Sequence, residues 1–515
     1  MSTELVSTEK VAWFPSLNQA GEAIALVDGE RSLTYAELND AVSRVVAGLL
    51  NGEASLKEER VAFLYPASFD YAALIIGVVA AGGIAVPLSV HASAGELSHC
   101  LSVAGVRRLL LPSEMRSEGL DAVCEVLGVE QLAVEDLPDA PVPHALPLAG
   151  EQGALIVFTS GTTGKPKGVA YSHRTWLDAG RDWFYNFPPM DPDDVCLHVG
   201  PISHGSGYLY TPTWLAGCAN HLISEFDPEA VLRAMADGRG SFMFMVPSML
   251  NQVVRHPLAK TLTYPALKVI QIGGAPIADE TALMGREVFG DVLYQGFGQT
   301  EAVPVCMMGP SEWFSSVAGS EPLRSAGRVL PYAYLEIRDQ DQPERELPLG
   351  DEGEIAIRCD GQMLGFWDND DATAERMTSD GFVLTGDIGR IDSNGYLYVL
   401  DRKDDMIISG GFNIWPAELE NVILDYPGVE EVAVFAVPSE QWGESPVAVC
   451  VVADPSQFEA EAIIEQCKTR LGSYKKPSQV IFQEAPLPKS PVGKVQRKVL
   501  REQFWGNGAR RVAGS

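Results

Sequence analysis

Cysteine and basic charge are both scarce in this chain. Its eight cysteines are scattered over 515 residues without a CxxC pair, a pattern typical of reduced thiols in a cytoplasmic protein. Lys and Arg number 38 against 69 Asp and Glu, a net charge of −31, which disfavours binding to nucleic acid or to an anionic membrane surface. The first residues contain no basic segment followed by an apolar one, so we expect no signal peptide and a cytoplasmic location.

Uncharged hydrophobic stretches long enough to cross a bilayer are also nearly lacking. Residues 71–90 are the candidate, but Gly82, Gly83 and Pro87 argue against one continuous helix. We predict a buried helix near 69–81, a Gly-Gly turn and a short strand, and a membrane span is the less favoured alternative.

The order of the apolar segments predicts an α/β fold. Strand-like runs such as ALIVFTS and LKVIQIGG alternate with helical stretches at 227–238 and 278–289, which is typical of layered parallel sheets. From about residue 330, short strands with tight turns predict a small, barrel-like β unit. A compact α+β segment follows the charged run 401–405, where we place a domain boundary; an exposed turn is the alternative. For this length, about three structural units are expected.

The most informative motif is VFTSGTTGKPKGVA at residues 157–170, where an apolar strand end runs into hydroxyls, glycines and lysines. Glycine lets the backbone approach an anion closely, and hydroxyls and lysines bind phosphate oxygens. The candidate phosphate-binding residues are Thr159, Ser160, Gly161, Thr162, Thr163, Gly164, Lys165 and Lys167. Their spacing differs from GxxxxGK[ST], so this is not the common P-loop, and a plain linker is the alternative.

A second polar motif, YQGFGQTEA at residues 294–302, places Thr300 and Glu301 side by side. Mg²⁺ beside phosphates takes only one or two carboxylates, so Glu301 is a candidate metal ligand; a glycine-rich turn with a surface glutamate is the alternative. The segment Gly273, Gly274, Ala275 and Pro276 follows a predicted strand, and indicates either a close approach to a flat ring or a simple turn.

Charged residues further along complete the set of candidates. Asp387 in LTGDIG can accept from ribose hydroxyls, and Arg402 can donate to the same sugar. Lys494 follows a Pro-Val-Gly turn and could reach developing charge on a phosphate. Each could equally be surface charge. Residues 467–515 carry 11 Lys and Arg against 2 acidic residues, which indicates an anionic partner or a solvated basic end.

Seven motifs in order make the chain resemble the adenylate-forming superfamily, which contains acyl-CoA synthetases, adenylation domains and firefly-type luciferases. They are TSGTTGKPKG, PISHGSG, GGAP, YQGFGQTEA, LTGDIG with GYLYVLDRKDD, ISGGFNIWPAELE and PKSPVGK. The resemblance implies an N-terminal AMP-binding domain over residues 1–402 and a mobile C-terminal domain over 403–515, with a hinge at Asp404.

The implied reaction joins a carboxylic acid to coenzyme A through an acyl-adenylate, with ATP and Mg²⁺. The resemblance assigns catalytic roles to Lys494, Thr300, Glu301 and His204, the last as a lid residue, with a core histidine as the alternative. ATP contacts fall to the loop at 159–167 and to Gly273, Gly274, Ala275, Pro276, Gln295, Gly296, Phe297, Asp387 and Arg402. Coenzyme A contacts fall to Gly410, Gly411 and Trp442, with Lys475 and Lys476 for its phosphates.

By motif position, the acid pocket is lined by residues that are apolar or small, and none of them is a carboxylate. Its predicted lining, besides His204, Gly273 and Gly296, is Trp176, Ser206, Gly207, Tyr208, Met245 and Val303. We therefore expect a hydrophobic or aryl acid rather than an amino acid, and a monomer or homodimer. The alternatives are an enzyme that loads a carrier protein, a luciferase-like oxygenase and a non-catalytic nucleotide-binding regulator.

Overall fold

The computed structural model describes residues 10–11, 21–140, 146, 148–159, 165–185, 187–200, 202, 207–409, 412–439, 441–489 and 495–502. Within these ranges, no helix has both the length and the apolar character needed to cross a bilayer.

The first part of the chain alternates strands and helices. Its strands are β1 (Lys10–Val11), β2 (Ile24–Asp28), β3 (Arg31–Thr34), β4 (Arg60–Phe63), β5 (Ile84–Pro87), β6 (Arg108–Leu110), β7 (Glu130–Leu132), β8 (Leu148–Ala149), β9 (Gly153–Thr159) and β10 (Lys167–Ser172). Its helices are α1 (Tyr35–Leu50), α2 (Phe69–Ala80), α3 (Ala94–Ala104), α4 (Glu118–Leu127) and α5 (His173–Trp183). The helix, Gly-Gly turn and strand predicted within 69–90 are confirmed as α2 and β5.

The second part repeats this alternation. Its strands are β11 (Val195–His198), β12 (Ala219–Leu222), β13 (Phe242–Met245), β14 (Val269–Ile272), β15 (Leu293–Gln299), β16 (Ala302–Met308) and β17 (Arg328–Val329). Its helices are α6 (Gly207–Leu215), α7 (Pro228–Ala236), α8 (Pro247–Arg255), α9 (Asp279–Phe289) and α10 (Pro310–Trp313). The strands predicted from ALIVFTS and LKVIQIGG are confirmed as β9 and β14.

Two large sheets organise these elements. The seven-stranded sheet has the order β20-β10-β9-β5-β4-β6-β7, where β20 is Gly365–Phe366, and the nine-stranded sheet has the order β17-β16-β15-β14-β13-β11-β12-β2-β3. Both are parallel at the centre and antiparallel at one or both edges. Helices α1 and α2 belong to a core that also contains residues from strands of both sheets.

An antiparallel sheet of four strands follows, in the order β18-β19-β21-β22. Its strands are β18 (Ala333–Arg338), β19 (Gly353–Cys359), β21 (Val383–Ile391) and β22 (Leu397–Arg402), and the helix α11 (Asp370–Arg376) lies between β20 and β21 in the chain. This unit is the small β-rich region that the short strands after residue 330 predict.

The C-terminal segment has its own core and its own sheet. The strands are β23 (Ile407–Ser409), β24 (Phe412–Ile414), β25 (Val429–Ser439), β26 (Gly443–Val452) and β27 (Gln479–Gln483), and the helices are α12 (Pro416–Leu424), α13 (Ala460–Leu471) and α14 (Arg497–Glu502). The short 3-10 helices of the chain are Ser113–Met115, Val134–Asp136, Pro257–Lys260, Pro322–Arg324, Lys403–Asp405 and Pro455–Gln457. Lys403–Asp405 links this segment to β22.

All eight cysteines are buried and free. Burial raises the pKa of each thiol for which a shift is resolved, Cys100 among them to about 12. They are therefore packing residues in the protonated form, as their scattered positions predict.

Candidate active site

The described residues of the phosphate-loop motif lie on the paired strands β9 and β10 and just before β10. Thr159 pairs with Lys167 between these two strands. Lys165 is exposed, and the Lys167 ammonium lies 5.0 Å from the centre of the Phe366 ring. A ring nitrogen of His99 lies 2.9 Å from the Pro166 carbonyl oxygen. The base of the loop is thus held by backbone pairing and by a neighbouring helix, so it can present lysines at a fixed edge of the sheet.

Asp387 and Arg402, the predicted ribose residues, are brought together on neighbouring strands β21 and β22. The Arg402 Nε donates to Asp387 Oδ1 at 2.7 Å, and the Gln299 amide donates to Asp387 Oδ2 at 2.7 Å. A carboxylate oxygen can accept from more than one donor. The pair is therefore held in place by neighbouring side chains, and its chemistry suits the hydroxyls of a sugar.

Arg376 extends this pair toward Glu301. Its Nη2 donates to Gln299 Oε1 at 3.1 Å and to the Thr385 carbonyl at 2.8 Å, and it lies 3.9 Å from Glu301 Oε1. We call the chain Arg402–Asp387–Gln299–Arg376–Glu301 the polar network. It joins the residues predicted for ribose to the residue predicted for the metal.

Glu301 fits the chemistry of a Mg²⁺ ligand. Its side chain is 12% exposed, and its ion pair with Arg376, at 3.9 Å, is at the limit of contact, so its oxygens can take a hard cation. Among the described residues, no group of three or more His, Cys, Asp or Glu could hold a metal ion by itself. A metal here would need phosphate oxygens and water as its other ligands, which is the usual situation of Mg²⁺ beside a nucleotide.

Thr300 is held by Tyr171, which is buried, and Tyr171 in turn contacts Tyr208, which is partly buried. The Tyr171 hydroxyl donates to the Thr300 carbonyl oxygen and lies 3.0 Å from the Tyr208 hydroxyl. Burial raises the pKa of Tyr208 to about 12 and that of Tyr171 well above its usual value. Both hydroxyls therefore stay protonated near neutral pH and hold the turn that carries Thr300 and Glu301.

Aromatic side chains surround the predicted acid pocket. The ring centre of Trp183 lies 6.3 Å from that of Tyr208 and 6.5 Å from that of Phe244. Trp176 and Val303 are buried in the same core. Met245 instead lies in the second core, with Leu197 and Ile270. Since neighbouring residues of a strand point to opposite faces, Phe244 rather than Met245 contacts Trp183.

Gly273 and Gly296 bring β14 and β15 close together beside this aromatic group. A Cβ at Gly296 would lie 2.4 Å from the Gln271 amide nitrogen, and one at Gly273 would lie 3.3 Å from the Phe244 ring. Gly296 lies within β15, and the turn of the YQGFGQTEA motif falls at Thr300 and Glu301. Gly274, Ala275 and Pro276 are exposed at the end of β14, where a flat ring could reach them.

Aromatic residues are exposed on the C-terminal segment. Phe412, Trp442 and Tyr474 are 55%, 51% and 48% exposed, and the Phe412 and Tyr474 rings lie 4.9 Å apart at 36°. Ser409 pairs with both Phe412 and Gly443, so the strand of Phe412 and the strand that follows Trp442 lie on either side of β23. Lys475 pairs with Glu418. We call Phe412, Trp442 and Tyr474 the aromatic platform.

Several predicted residues lie outside the described ranges. They are Ser160, Gly161, Thr162, Thr163, Gly164, His204, Ser206, Gly410, Gly411 and Lys494. Conversely, Gln299, Arg376, Tyr171 and Phe244 belong to the site and were not predicted. Gln299 lies inside the YQGFGQTEA motif, which is the signal that could have revealed it, whereas Arg376 belongs to no such motif.

Comparison with known proteins agrees with this geometry. Residues 14–367 match the AMP-binding enzyme family, and residues 418–494 match the AMP-binding enzyme C-terminal domain. A feruloyl-CoA synthase from Amycolatopsis sp is 34% identical over 94% of this chain and 96% of its own length. The long-chain-fatty-acid–CoA ligase FadD13 from Mycobacterium tuberculosis is 35% identical over 92% of this chain and 93% of its own.

A solved relative supports the same assignment. ATP-bound MatB from Rhodopseudomonas palustris has a TM-score of 0.85 at 28% identity, over 96% of this chain and 98% of its own. The apo form of MatB, over the same shares and at 27% identity, has a TM-score of 0.74. The chain belongs to the AMP-binding enzyme family, within the adenylate-forming superfamily that its motifs predict.

Proposed function

We propose that this chain is an ATP-dependent, AMP-forming acid–CoA ligase for an uncharged hydrophobic or aryl carboxylic acid. The observation that carries the proposal is the polar network, because it joins Asp387 and Arg402 to Glu301 at one site. The acid–CoA ligases among its relatives support the same reaction class.

The first step makes the acid reactive. A carboxylate is a poor electrophile, because the group it would lose is oxide. One carboxylate oxygen attacks the α-phosphorus of ATP, the bond from that phosphorus to the β-phosphate oxygen breaks, and pyrophosphate leaves. The loop that contains Lys165 and Lys167 holds the leaving pyrophosphate, and Lys494 stabilises charge between the acid and the α-phosphate.

Mg²⁺, held by Glu301 and the phosphates, supplies Lewis-acid stabilisation of phosphate charge when bound. The chain's own residues do the positioning. Asp387 and Arg402 bind the ribose, and the exposed end of β14 at Gly274 contacts the adenine. Tyr171 fixes the Thr300 backbone, so the adjacent carboxylate of Glu301 stays aimed at the phosphates.

The second step transfers the acyl group to coenzyme A. The thiol sulfur attacks the acyl carbon, its proton passes to solvent, and AMP leaves from the same carbon. The aromatic platform binds the flat nucleotide of coenzyme A by stacking. Lys476 is exposed and lies two residues after Tyr474, and its ammonium binds the phosphates of coenzyme A.

The acid is selected by Trp176, Trp183, Tyr208 and Phe244. None of the described residues that we assign to this wall carries a carboxylate, so an amino acid's ammonium group would have no counter-ion there. An aryl or extended apolar acid would instead bury its surface against the rings.

A panel of aryl, branched and straight-chain acids, assayed for pyrophosphate release with and without coenzyme A, tests this proposal. We expect at least one uncharged apolar acid to give pyrophosphate and, only with coenzyme A, a thioester that mass spectrometry identifies. Pyrophosphate release with transfer to a phosphopantetheine carrier protein but not to coenzyme A would overturn the ligase assignment, as would an amino acid as the preferred substrate.

A further inference from the structure

Arg497 is the centre of a buried group of charges where the two domains join. Its Nε and Nη2 donate to both oxygens of Glu420, at 3.1 and 2.6 Å, and its Nη1 donates to Asp405 at 3.1 Å. Burial alone would lower the pKa of this guanidinium, but the charges of Glu420, Asp401 and Asp405 raise it above its usual value. Arg497 therefore stays charged and is bonded to two carboxylates, Glu420 and Asp405, with the charge of Asp401 nearby.

Asp401 contributes to this group from the N-terminal domain. It is the next-to-last residue of β22 and is 6% exposed. One of its oxygens accepts from the Arg402 backbone N–H at 2.7 Å, and the other accepts from the Ala417 N–H at 2.7 Å. Ala417 lies in the first turn of α12, whose N-cap residue Trp415 makes no side-chain cap. Asp401 thus caps a helix of the other domain.

The linker between the domains is fastened on both sides of Asp404. Before it, the Lys403 ammonium donates to Glu354 at 2.9 Å and to the Gln340 carbonyl at 3.3 Å, both in the N-terminal domain. After it, Asp405 is bound by Arg497. The hydrogen bond from the Ala417 N–H to Asp401 joins residues on either side of Asp404, where the resemblance places the hinge.

Arg497 follows Lys494 by three residues. The backbone just before residue 490 is joined to the backbone just after residue 494. Lys489 pairs with Val495, and the Gln496 N–H donates to the Pro488 carbonyl at 2.8 Å. Lys489 in turn forms an ion pair with Glu431. The described residues on either side of 490–494 are thus joined to each other, with Glu431 holding Lys489 and with Glu420 and Asp405 holding Arg497.

We propose that Arg497 is a positioning residue for the adenylation step. It ties the residues that follow Lys494 to the inter-domain linker at Asp405. Asp401 joins the start of α12 to the N-terminal domain beside this contact. This rests on the proposed function, in which Lys494 acts on the α-phosphate. The whole chain matches ATP-bound MatB with a TM-score of 0.85 and apo MatB with a TM-score of 0.74.

The test measures the two half-reactions separately in wild type, Arg497→Met, Arg497→Lys and Asp405→Ala. Adenylation is followed by pyrophosphate release without coenzyme A, and thioester formation is followed from supplied acyl-adenylate. We expect Arg497→Met to lower the adenylation kcat on the order of 100-fold and Asp405→Ala to lower it about 10-fold, because a misplaced catalytic group loses rate steeply. The KM for ATP and acid and the rate of thioester formation should stay near wild type.

Arg497→Lys keeps the charge but not the planar fork, so it should restore part of the adenylation rate. Asp425→Ala is the matched control, because the ion pair of Asp425, at 2.6 Å, is with Arg470 of α13 and not with Arg497. Should Arg497→Met fail to fold, Asp405→Ala still tests the proposal, because it removes the linker partner of Arg497. Equal loss of both half-reactions in Asp405→Ala, or an Asp405→Ala rate equal to that of Asp425→Ala, would overturn the proposal. A wild type that makes no thioester from any acid would instead refute the proposed function.

Discussion

At the scale of single residues, the proposed mechanism needs positive charge where two anions meet. Lys494→Ala should therefore lower acyl-adenylate formation about 100-fold or more, since removing one preorganised group at developing charge typically costs this much. Thioester formation from supplied acyl-adenylate should be largely unchanged. The two rates are measured in stopped assays on the same preparation.

Lys468→Ala provides the control for this change. Lys468 forms an exposed pair with Glu465 on α13, so its loss removes a lysine from the same domain without touching the site. Equal loss of both half-reactions in Lys494→Ala would refute the role assigned to this lysine.

Asp401 gives a pH-dependent prediction. The pKa of its carboxyl is raised from the usual 3.8 to about 7; burial is the main cause, while the Arg497 charge lowers this pKa and the Glu420 charge raises it. Because the folded state holds this proton more tightly than the unfolded one, the contribution of Asp401 to stability is complete below about pH 4 and is lost as the pH rises through about 7.

Asp401→Asn should remove this dependence. The melting temperature of the variant minus that of wild type should become more positive from pH 5 to pH 8, measured by scanning calorimetry at constant ionic strength. The groups that face Asp401 are Arg497, Glu420, Asp405 and the adjacent Arg402, and all remain in the variant. A difference that is flat or falls over this range would contradict the burial argument.

At the scale of elements, the site depends on close packing between helices and strands. Gly361 is an example, since a Cβ there would lie 2.5 Å from the Ala179 Cα of α5 and 2.6 Å from the Val303 carbonyl oxygen of β16. Gly361→Ala must push these elements apart and should destabilise the protein by roughly 1–3 kcal/mol. Because Val303 belongs to the predicted acid pocket, the KM for the acid should rise as well.

Gly95→Ala is the matched substitution for this test. Gly95 lies in α3, and its nearest neighbour for a Cβ is the Ser93 hydroxyl oxygen at 3.9 Å. Alanine should be neutral there or stabilise by up to about 1 kcal/mol. Chemical denaturation and substrate titration of both variants check the comparison; a Gly361→Ala variant as stable as Gly95→Ala would contradict the packing argument.

Elements that follow local patterns could be predicted from the sequence, and those built from distant residues could not. The break at Gly82 and Gly83 is visible in the sequence, and α2 and β5 are confirmed there. Arg376 at the end of α11 contacts Gln299 at the end of β15 only in the folded chain. No motif near either residue predicts that contact. Asp401 belongs to a charged run that could be read as an exposed turn, yet it is buried because it caps α12.

At the scale of the whole molecule, the family and the α/β fold with a small C-terminal domain are confirmed by the comparisons. The boundary at 402–403 and the individual roles of the site residues stay predictions. The order of the seven motifs identifies the superfamily, and most of these motifs are predicted to bind ATP, the substrate that the implied reaction always uses. The acid is different, since Phe244 and Trp183, which we assign to its pocket, belong to none of the seven motifs.

The proposed two-step reaction requires the C-terminal domain to turn about Asp404. Asp404→Pro should restrict that turn, because proline fixes its own backbone angle φ. Thioester formation should then fall more than adenylation, and Asp404→Ala, which removes only the side chain, should affect neither step strongly. If Asp404→Pro left thioester formation intact in assays of both half-reactions, rotation at this residue would be wrong.

The fastening of Lys403 to Glu354 and of Asp405 to Arg497 has a mechanical consequence. A linker that is flexible along its whole length would let the C-terminal domain sample many orientations by diffusion. Here the residues on both sides of Asp404 are held, so we expect any rotation of the C-terminal domain to be confined to that residue, and we expect the two half-reactions to use one active site in turn.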